Sequence, residues 1–156
     1  MAIKYGNGLK AVGTIFDPAQ INSMISVERL RAAGKEKGIS ILEAPSSTVS
    51  DLAMATRSLK ARGAKAILLS ADNLVNTGFT IILKESREAG VPLYVTDLDM
   101  VAQGAAGGIG VSYREWGKQS GRMAARVLNG TPPSQLPVEE TRNLKVLEPP
   151  SPGPGN

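Results

Sequence analysis

Five short apolar segments alternate with segments that carry helical patterns, and this alternation constrains the fold more than any other feature. The segments are rich in Val, Ile, Leu and small residues with little polar alternation, which is typical of strands buried on both faces of a parallel sheet. The alternation predicts an α/β fold with a doubly wound, mostly parallel five-stranded sheet, strand order 2-1-3-4-5, and helices on both faces. The predicted strands are Ala11–Phe16, Ile39–Ala44, Ala66–Ser70, Pro92–Thr96 and Gly108–Ser112.

Capping residues predict where the helices between these strands begin. A short side-chain acceptor before an apolar periodic segment satisfies backbone N–H groups of the first helical turn, and Gly or Asn favours the end of a helix. A shorter helical turn is predicted between strands four and five. The predicted helix starts are Asp17-Pro18, Thr48–Asp51, Asp72 or Asn73, and the capping box Ser112–Glu115; the predicted ends lie near Gly63, Gly90 and Asn129, and the short turn is Asp99–Gln103.

The length of 156 residues predicts one compact α/β domain, which we place at residues 9–147. Residues 1–8 are interpreted as an N-terminal extension. Residues 148–156 are rich in Pro and Gly, and we expect them to form a disordered tail. The stretch between the last helix and this tail is expected to return along the sheet or to add an edge strand.

Composition excludes several classes of function. The chain has no Cys and no His, which rules out a disulfide, a thiolate nucleophile, a Ser-His-Asp triad and the usual zinc sites. Its 18 Lys and Arg against 14 Asp and Glu are scattered over predicted helix faces and aromatic residues are few, so no nucleic-acid partner is expected. The sequence indicates no catalytic residue, no metal and no cofactor, and neither a membrane-spanning segment nor a signal peptide is recognised.

The carboxyl ends of the predicted strands are where a ligand would bind in a sheet of this kind. Several polar side chains follow those strand ends, and such a rim suits a small zwitterionic or polyhydroxylated ligand. Asp17, Asp72 and Ser112 also fit a purely structural role as helix caps. The candidates at this rim are Asp17, Asn22, Ser23, Asp72, Asn73, Thr96, Asp97, Asp99, Ser112 and Tyr113.

A carboxylate cluster is the alternative from the class of enzymes and phosphoacceptors. Asp17, Asp72, Asp97 and Asp99 could surround Mg²⁺, as in a two-component receiver domain with a phosphoryl-accepting Asp after strand three. The comparison is incomplete, because the acidic pair after strand one is here a single Asp and no Lys follows strand five.

Four segments, taken in order, carry a resemblance to a known family. They resemble the second lobe of ABC-transporter substrate-binding proteins with the type I periplasmic-binding-protein fold, and more narrowly the amino-acid-binding subfamily. The similarity covers residues 9–147 in order and without large gaps. The segments are Ile15–Ser23, Ser70–Asn73, Pro92–Asp97 and Gly110–Gly121.

The resemblance implies non-catalytic capture of a small solute, an amino acid or similar zwitterion, between two lobes, followed by delivery to an ABC permease. It implies a periplasmic or extracytoplasmic full-length protein. The first lobe is missing here, so we expect a single lobe that is completed by that lobe or self-associates through its cleft face, and a ligand-sensing domain of a signalling protein is the alternative. The residues that match the ligand loops are Asn22, Ser23, Asp72, Asn73 and Asp97, with Ser112 and Tyr113 next.

Overall fold

A computed structural model of the chain describes residues 9–140 and 144–148. The predicted N-terminal extension, residues 1–8, and residues 149–156 of the predicted tail lie outside these described residues. The described part contains a sheet whose strand order is β2-β1-β3-β4-β5-β6. The strands are β1 (Ala11–Phe16), β2 (Ser40–Pro45), β3 (Ala66–Leu69), β4 (Leu93–Val95), β5 (Gly107–Val111) and β6 (Leu144–Leu147).

The predicted parallel sheet is confirmed, and each of the five predicted strands lies within one residue of its predicted ends. All pairings among β1 to β5 are parallel, in the predicted order 2-1-3-4-5. The count of five is wrong by one strand, since β6 pairs antiparallel with β5, with Ile109 opposite Val146. The outer edge of β5 would otherwise present unpaired N–H and C=O groups, and the apolar segment Leu144–Leu147 pairs with it.

Six α-helices connect the strands in the described residues. They are α1 (Ile21–Lys37), α2 (Leu52–Ala61), α3 (Asn73–Thr77), α4 (Phe79–Glu88), α5 (Asp99–Ala102) and α6 (Tyr113–Leu128). The third predicted helix is divided at Gly78, between α3 and α4. A Cβ at Gly78 would lie 2.1 Å from Leu52 Cδ1, so the break sits where the chain passes closely over the start of α2.

The core lies between the sheet and the layer formed by α2 and α4. Ile15, Ile67 and Leu93, one each from β1, β3 and β4, belong to the same buried cluster as Leu59 and Ile82. All five are almost fully buried. On the opposite face of the sheet, α1 packs over β1 and β2 through a narrow set of positions that includes Val27 and Gly34. By contrast, α6 contributes no buried residue. The two faces of the sheet are therefore covered unequally.

Candidate functional site

The loops that follow β1, β3, β4 and β5 lie side by side at the carboxyl edge of the sheet, because those four strands are neighbours in that order. The predicted site residues lie on these loops or in the first turn of the helix that follows. The loop after β2 lies at the far side of β1. Topology thus brings every predicted loop to one edge, and side-chain contacts decide what each residue does there.

Asp72 joins the first two loops of this edge. Its side chain is buried, with a relative exposure of 2%, and it receives four hydrogen bonds. Oδ2 accepts the Asp17 backbone N–H at 2.8 Å and the Ser23 hydroxyl at 2.5 Å. Oδ1 accepts the Val75 N–H at 3.0 Å and Gln20 Nε2 at 3.3 Å. Asp72 therefore caps α3 and also fixes the β1 loop to the β3 loop.

Ser23 is fully buried, and its hydroxyl donates to Asp72. Serine is a weaker helix former than Ala or Leu, so helix stability does not explain a serine two residues after the start of α1. The structure explains it, because the Ser23 hydroxyl binds Asp72 and so attaches α1 to the loop after β3. The direct role of Ser23 and Asp72 is thus to hold the loops of the carboxyl edge together.

Gln20 is a member of this network that sequence reasoning missed. Its Nε2 donates to Asp17 Oδ2 at 3.0 Å as well as to Asp72, and its Oε1 accepts the Asn73 backbone N–H at 3.1 Å. One side chain therefore spans both loops. The sequence around Gln20 indicates at most a helix start and gives no sign of this bridging contact, because the contact joins residues 53 positions apart.

The start of α1 differs from the prediction for a related reason. Asp17 was predicted to be the N-cap, but the helix begins at Ile21 with Gln20 in the N-cap position. Asp17 Oδ1 instead accepts the Ala19 N–H at 2.9 Å, closing a local turn, while its own N–H is taken by Asp72. The hydrogen bond from Gln20 and that from the Ala19 N–H lower the pKa of Asp17 below its ordinary value.

Asn22 and Asn73 are the exposed members of this part of the edge. Asn22 Nδ2 donates to the Ala71 carbonyl at 2.9 Å, which places its amide over the loop after β3. The backbone of Asn73 is held by Gln20, and Asn73 begins α3. The amide side chains of Asn22 and Asn73 therefore lie at the surface, and the loops after β1 and β3 that carry them are held together by the buried hydrogen bonds of Asp72 and Gln20.

Asp97 lies one strand further along the edge, after β4, and is partly exposed. Its Oδ1 accepts the Asp99 N–H at 3.0 Å, and a carboxylate has acceptor capacity well beyond one such bond. The neighbouring Thr96 carbonyl would lie 2.0 Å from a Cβ at position 110. Gly110 thus allows the ends of β4 and β5 to approach closely.

The last predicted site residues, Ser112 and Tyr113, lie after β5. Ser112 is the N-cap of α6 by position, but its side chain makes no cap hydrogen bond, and Glu115 pairs with Lys118 at 2.8 Å. The predicted capping box is therefore wrong. A capping box does form at Thr48 and Asp51, where only a helix start was predicted, and there the Thr48 N–H donates to Asp51 Oδ2 at 3.0 Å.

Tyr113, a predicted site residue, stacks on Trp116. Trp116 was not among the site residues predicted from the sequence. The ring centroids are 6.2 Å apart with an interplanar angle of 27°, and both rings are about half exposed. The spacing of three residues puts both rings on one side of the first turn of α6. The pair is an aromatic surface beside the end of β5.

The described residues hold no group of three His, Cys, Asp or Glu side chains arranged to bind a metal ion. The predicted alternative grouped Asp17, Asp72, Asp97 and Asp99 around Mg²⁺. In the structure the Asp72 carboxylate is buried and accepts four protein hydrogen bonds, so its oxygens already have partners. In the part of the chain that the structure describes, no helix is long and apolar enough to span a membrane.

Comparison with known proteins gives matches over nearly the whole chain. Residues 4–148 match the model of the family described as ABC transporter substrate binding protein. A tyrosine-binding protein of Clostridioides difficile (strain R20291) is 28% identical over 138 residues, which is 88% of this chain and 40% of that protein.

Two solved structures share the fold. A conserved domain protein from Vibrio cholerae superposes with a TM-score of 0.81 at 23% identity, covering 90% of this chain and 47% of that one. An ABC domain from Streptococcus pneumonia in complex with L-Trp superposes with a TM-score of 0.77 at 22% identity, covering 88% and 46%. The chain thus spans less than half the length of these relatives. The match across residues 4–148 shows that the chain belongs to the family of ABC transporter substrate-binding proteins.

Proposed function

We propose that the carboxyl edge of the sheet forms one half of a cleft that binds a small solute, an amino acid or similar zwitterion, without catalysis. Asn22, Asn73 and Asp97 would contact the ligand, with Ser112 and Tyr113 at the far end of the same edge. Ser23 and Asp72 would serve the site from beneath by holding the loops. Family membership supports this role, and the names of two relatives mention tyrosine and L-Trp.

The buried Asp72 network is the observation that carries the proposal. It fixes the loop after β1 against the loop after β3, so that Asn22 and Asn73 are presented in one arrangement before any ligand arrives. Ordering loops on binding costs affinity, and a site held in advance avoids that cost. A network of this kind is more than a helix cap needs, since one side-chain acceptor caps α3.

The charges of the edge suit a zwitterion. Asp97 offers acceptor oxygens for an ammonium group, while the amide N–H groups of Asn22 and Asn73 can donate to a carboxylate. The stacked rings of Tyr113 and Trp116 lie next along the edge and offer apolar surface for an amino-acid side chain. Aromatic amino acids are therefore the first members of the class to test.

The second half of the cleft would come from another lobe. Ile21, Met24 and Ile25 lie at the start of α1, beside the carboxyl edge, and are 77%, 38% and 45% exposed. Exposed apolar side chains grouped at one place commonly mark an interaction surface. We propose that this surface faces the other lobe in a full-length, extracytoplasmic protein that delivers its solute to an ABC permease.

Thermal unfolding of the chain with a panel of L-amino acids at millimolar concentration tests the proposal. A ligand at ten times its Kd stabilises the folded state by about 1.4 kcal/mol, and a 150-residue protein then unfolds about 5 °C higher. Tyramine, which lacks the carboxylate, and 3-(4-hydroxyphenyl)propionate, which lacks the ammonium, are matched controls for tyrosine. Both should give smaller shifts than tyrosine if the zwitterion is recognised at both ends.

Variants locate the response. Asn22→Ala, Asn73→Ala and Asp97→Ala should each reduce the ligand-induced shift. The unliganded melting temperature should stay nearly unchanged for Asn73→Ala and Asp97→Ala and fall slightly for Asn22→Ala, which also loses the hydrogen bond to the Ala71 carbonyl. Asn76→Ala, at another exposed position of α3, and Glu36→Gln, at the far end of α1, are controls that should keep the full shift. If the three rim variants respond like the controls, the site assignment is wrong. A Mg²⁺-dependent phosphorylation by acetyl phosphate that Asp72→Asn abolishes would instead favour the phosphoacceptor.

A further inference from the structure

Gln20 lies between two carboxylates, and its amide uses both of its N–H groups on them. Nε2 donates to Asp17 Oδ2 at 3.0 Å and to Asp72 Oδ1 at 3.3 Å. On the other side of the amide, Oε1 accepts the Asn73 backbone N–H at 3.1 Å. The reverse orientation would point Oε1 at two carboxylates and Nε2 at an N–H group, so the surroundings admit one orientation of this amide.

Neither carboxylate that Gln20 joins is paired with a cation in the described part of the chain. Within residues 9–140 and 144–148, every Lys or Arg side chain that forms an ion pair does so with a Glu. The hydrogen bond from Gln20 is the largest cause of the lowered pKa of Asp17, and the Asp17 backbone N–H donates to Asp72 at 2.8 Å. A neutral donor, rather than a cation, therefore lies between two negative side chains.

Gln20 also completes the start of α3. Asn73 is the first residue of this helix, and Asp72, in the N-cap position, accepts the Val75 N–H. The first N–H groups of any helix have no partner within it, and for Asn73 the partner is Gln20 of the other loop. A helix of five residues is too short to be stable alone, so these two caps determine where α3 begins.

The same side chain belongs to the start of α1. Gln20 is in the N-cap position of that helix, two residues before Asn22, whose Nδ2 donates to the Ala71 carbonyl at 2.9 Å. Gln20 thus links the turn that carries Asn22 to the backbone that carries Asn73. A movement of the Gln20 amide changes the separation of these two side chains. Both of its N–H groups are already used, so it has no donor left for a solute.

We infer that Gln20 is the positioning residue of the proposed cleft, where its neutral amide sets the separation of Asn22 and Asn73 without contacting the solute. A negative charge at this position would face both Asp17 and Asp72 and push the two loops apart. The inference rests on the proposed function, because Asn22 and Asn73 are the side chains proposed to contact the solute. It adds a requirement on charge, since position 20 must then hold a neutral side chain that forms hydrogen bonds.

Amide hydrogen exchange of the unliganded protein, measured residue by residue by NMR, tests the geometry without any solute. Gln20→Met keeps the length of the side chain and removes its hydrogen bonds. The Asn73 N–H should then exchange about fivefold faster, as expected for the loss of one hydrogen bond to a neutral acceptor. The Asn76 N–H bonds to the Asp72 carbonyl at 2.8 Å and should keep its native rate. Unchanged exchange at Asn73 overturns the inference, and so does equally faster exchange at both, because α3 would then simply unfold.

Gln20→Glu tests the charge requirement, because it replaces the NH₂ group by an oxygen. At pH 7.5, isothermal titration with L-tyrosine, or with the panel amino acid that stabilises the native chain most, should show binding at least about tenfold weaker than in the native chain. The loss should be smaller in Gln20→Met. At pH 5 the loss in Gln20→Glu should shrink, since the two carboxylates raise the pKa of the introduced Glu, and its protonated form can donate to one of them. Gln103→Glu, the same change at an exposed position before β5, is the control for net charge and should bind like the native chain.

The inference is overturned if Gln20→Glu binds the amino acid at pH 7.5 no more weakly than Gln20→Met or Gln103→Glu. It is equally overturned if the binding of Gln20→Glu relative to the native chain is the same at pH 5 and pH 7.5. Failure of the proposed function gives a different result, because the native chain would then bind no amino acid of the panel. In that case the exchange rates of Asn73 and Asn76 still decide whether Gln20 holds Asn73 in place.

Discussion

Replacing the carboxylate of Asp72 by an amide should destabilise the protein far more than a change of one side-chain atom suggests. In the folded chain Oδ2 accepts hydrogen bonds from the Asp17 N–H and the Ser23 hydroxyl, and Oδ1 accepts from the Val75 N–H and from Gln20. An Asn has one acceptor oxygen, so whichever way its amide turns, its NH₂ group faces two donors. At least one backbone N–H, that of the buried Val75 or that of the partly buried Asp17, then loses its acceptor.

The magnitude follows from those bonds. A hydrogen bond to a charged group contributes about 1.5–3 kcal/mol, and leaving its buried partner unsatisfied costs about as much. The Ser23 hydroxyl can rotate to accept from the new amide, which recovers part of the loss. We therefore expect Asp72→Asn to lower the free energy of unfolding by about 2–4 kcal/mol, which corresponds to a melting temperature lower by about 10 °C.

Urea unfolding followed by far-UV circular dichroism measures this difference, provided that the slope with urea is unchanged between variants. Asp51→Asn is the matched control, because Asp51 also sits at a helix start and accepts from the Thr48 N–H and hydroxyl, but at an exposed site. It should cost about 1 kcal/mol or less. Ser23→Ala should then show a coupling energy with Asp72→Asn of more than about 0.5 kcal/mol. The reasoning would be refuted if Asp72→Asn and Asp51→Asn lowered the free energy of unfolding equally. It would also be refuted if the effects of Ser23→Ala and Asp72→Asn were additive.

Two other variants test how the edge and the helix layer are held. Gly110→Ala should lower the free energy of unfolding in urea by about 1–3 kcal/mol, because its Cβ would lie 2.0 Å from the Thr96 carbonyl oxygen. The control is Gly117→Ala on α6, whose Cβ would meet nothing within 4 Å and which should be neutral or stabilising. An unchanged stability in Gly110→Ala would contradict the close approach of β4 and β5. The hydrogen bond from the Arg57 guanidinium lowers the pKa of Glu85 from its ordinary value of 4.5. The stability that this pair contributes is therefore present above pH 4.5, and it is lost as the pH falls through the lowered pKa of Glu85 in the folded protein. Glu85→Gln should accordingly be less stable at pH 7 and lose less stability than the native chain between pH 5 and pH 3, as measured by urea unfolding at each pH; parallel pH profiles would contradict it.

The strands and their order were predictable because their signal is local. Each strand of the parallel sheet is a short apolar segment such as Ala66–Leu69, bounded by residues that favour turns, and right-handed crossovers limit how such segments can be arranged. The sixth strand was left open in the sequence analysis because Leu144–Leu147 is short and pairs at an edge. Its position depends on β5, and nothing within the segment itself specifies that partner.

The network beneath the candidate site was not predictable, because its contacts join distant parts of the chain. Ser23 and Asp72 are 49 positions apart, and Gln20 reaches Asn73 over 53 positions. From sequence, Ser23 is a weak helix former and Asp72 is an ordinary cap. The start of α1 was misplaced for the same reason, since the N–H of Asp17 is taken by a carboxylate from another loop.

The separation between buried and exposed residues at the carboxyl edge determines how any loss of binding must be interpreted. A change at Asp72 or Ser23 removes hydrogen bonds that the unliganded protein needs, so it lowers stability and displaces Asn22 and Asn73 together. A change at Asn73 or Asp97 leaves those bonds in place and removes one exposed group. If ligand response falls in both sets but stability falls only in the first, the buried residues position the loops and the exposed ones contact the solute. If exposed variants lose stability and not response, the edge is structural throughout, and the proposed cleft lies elsewhere on the lobe.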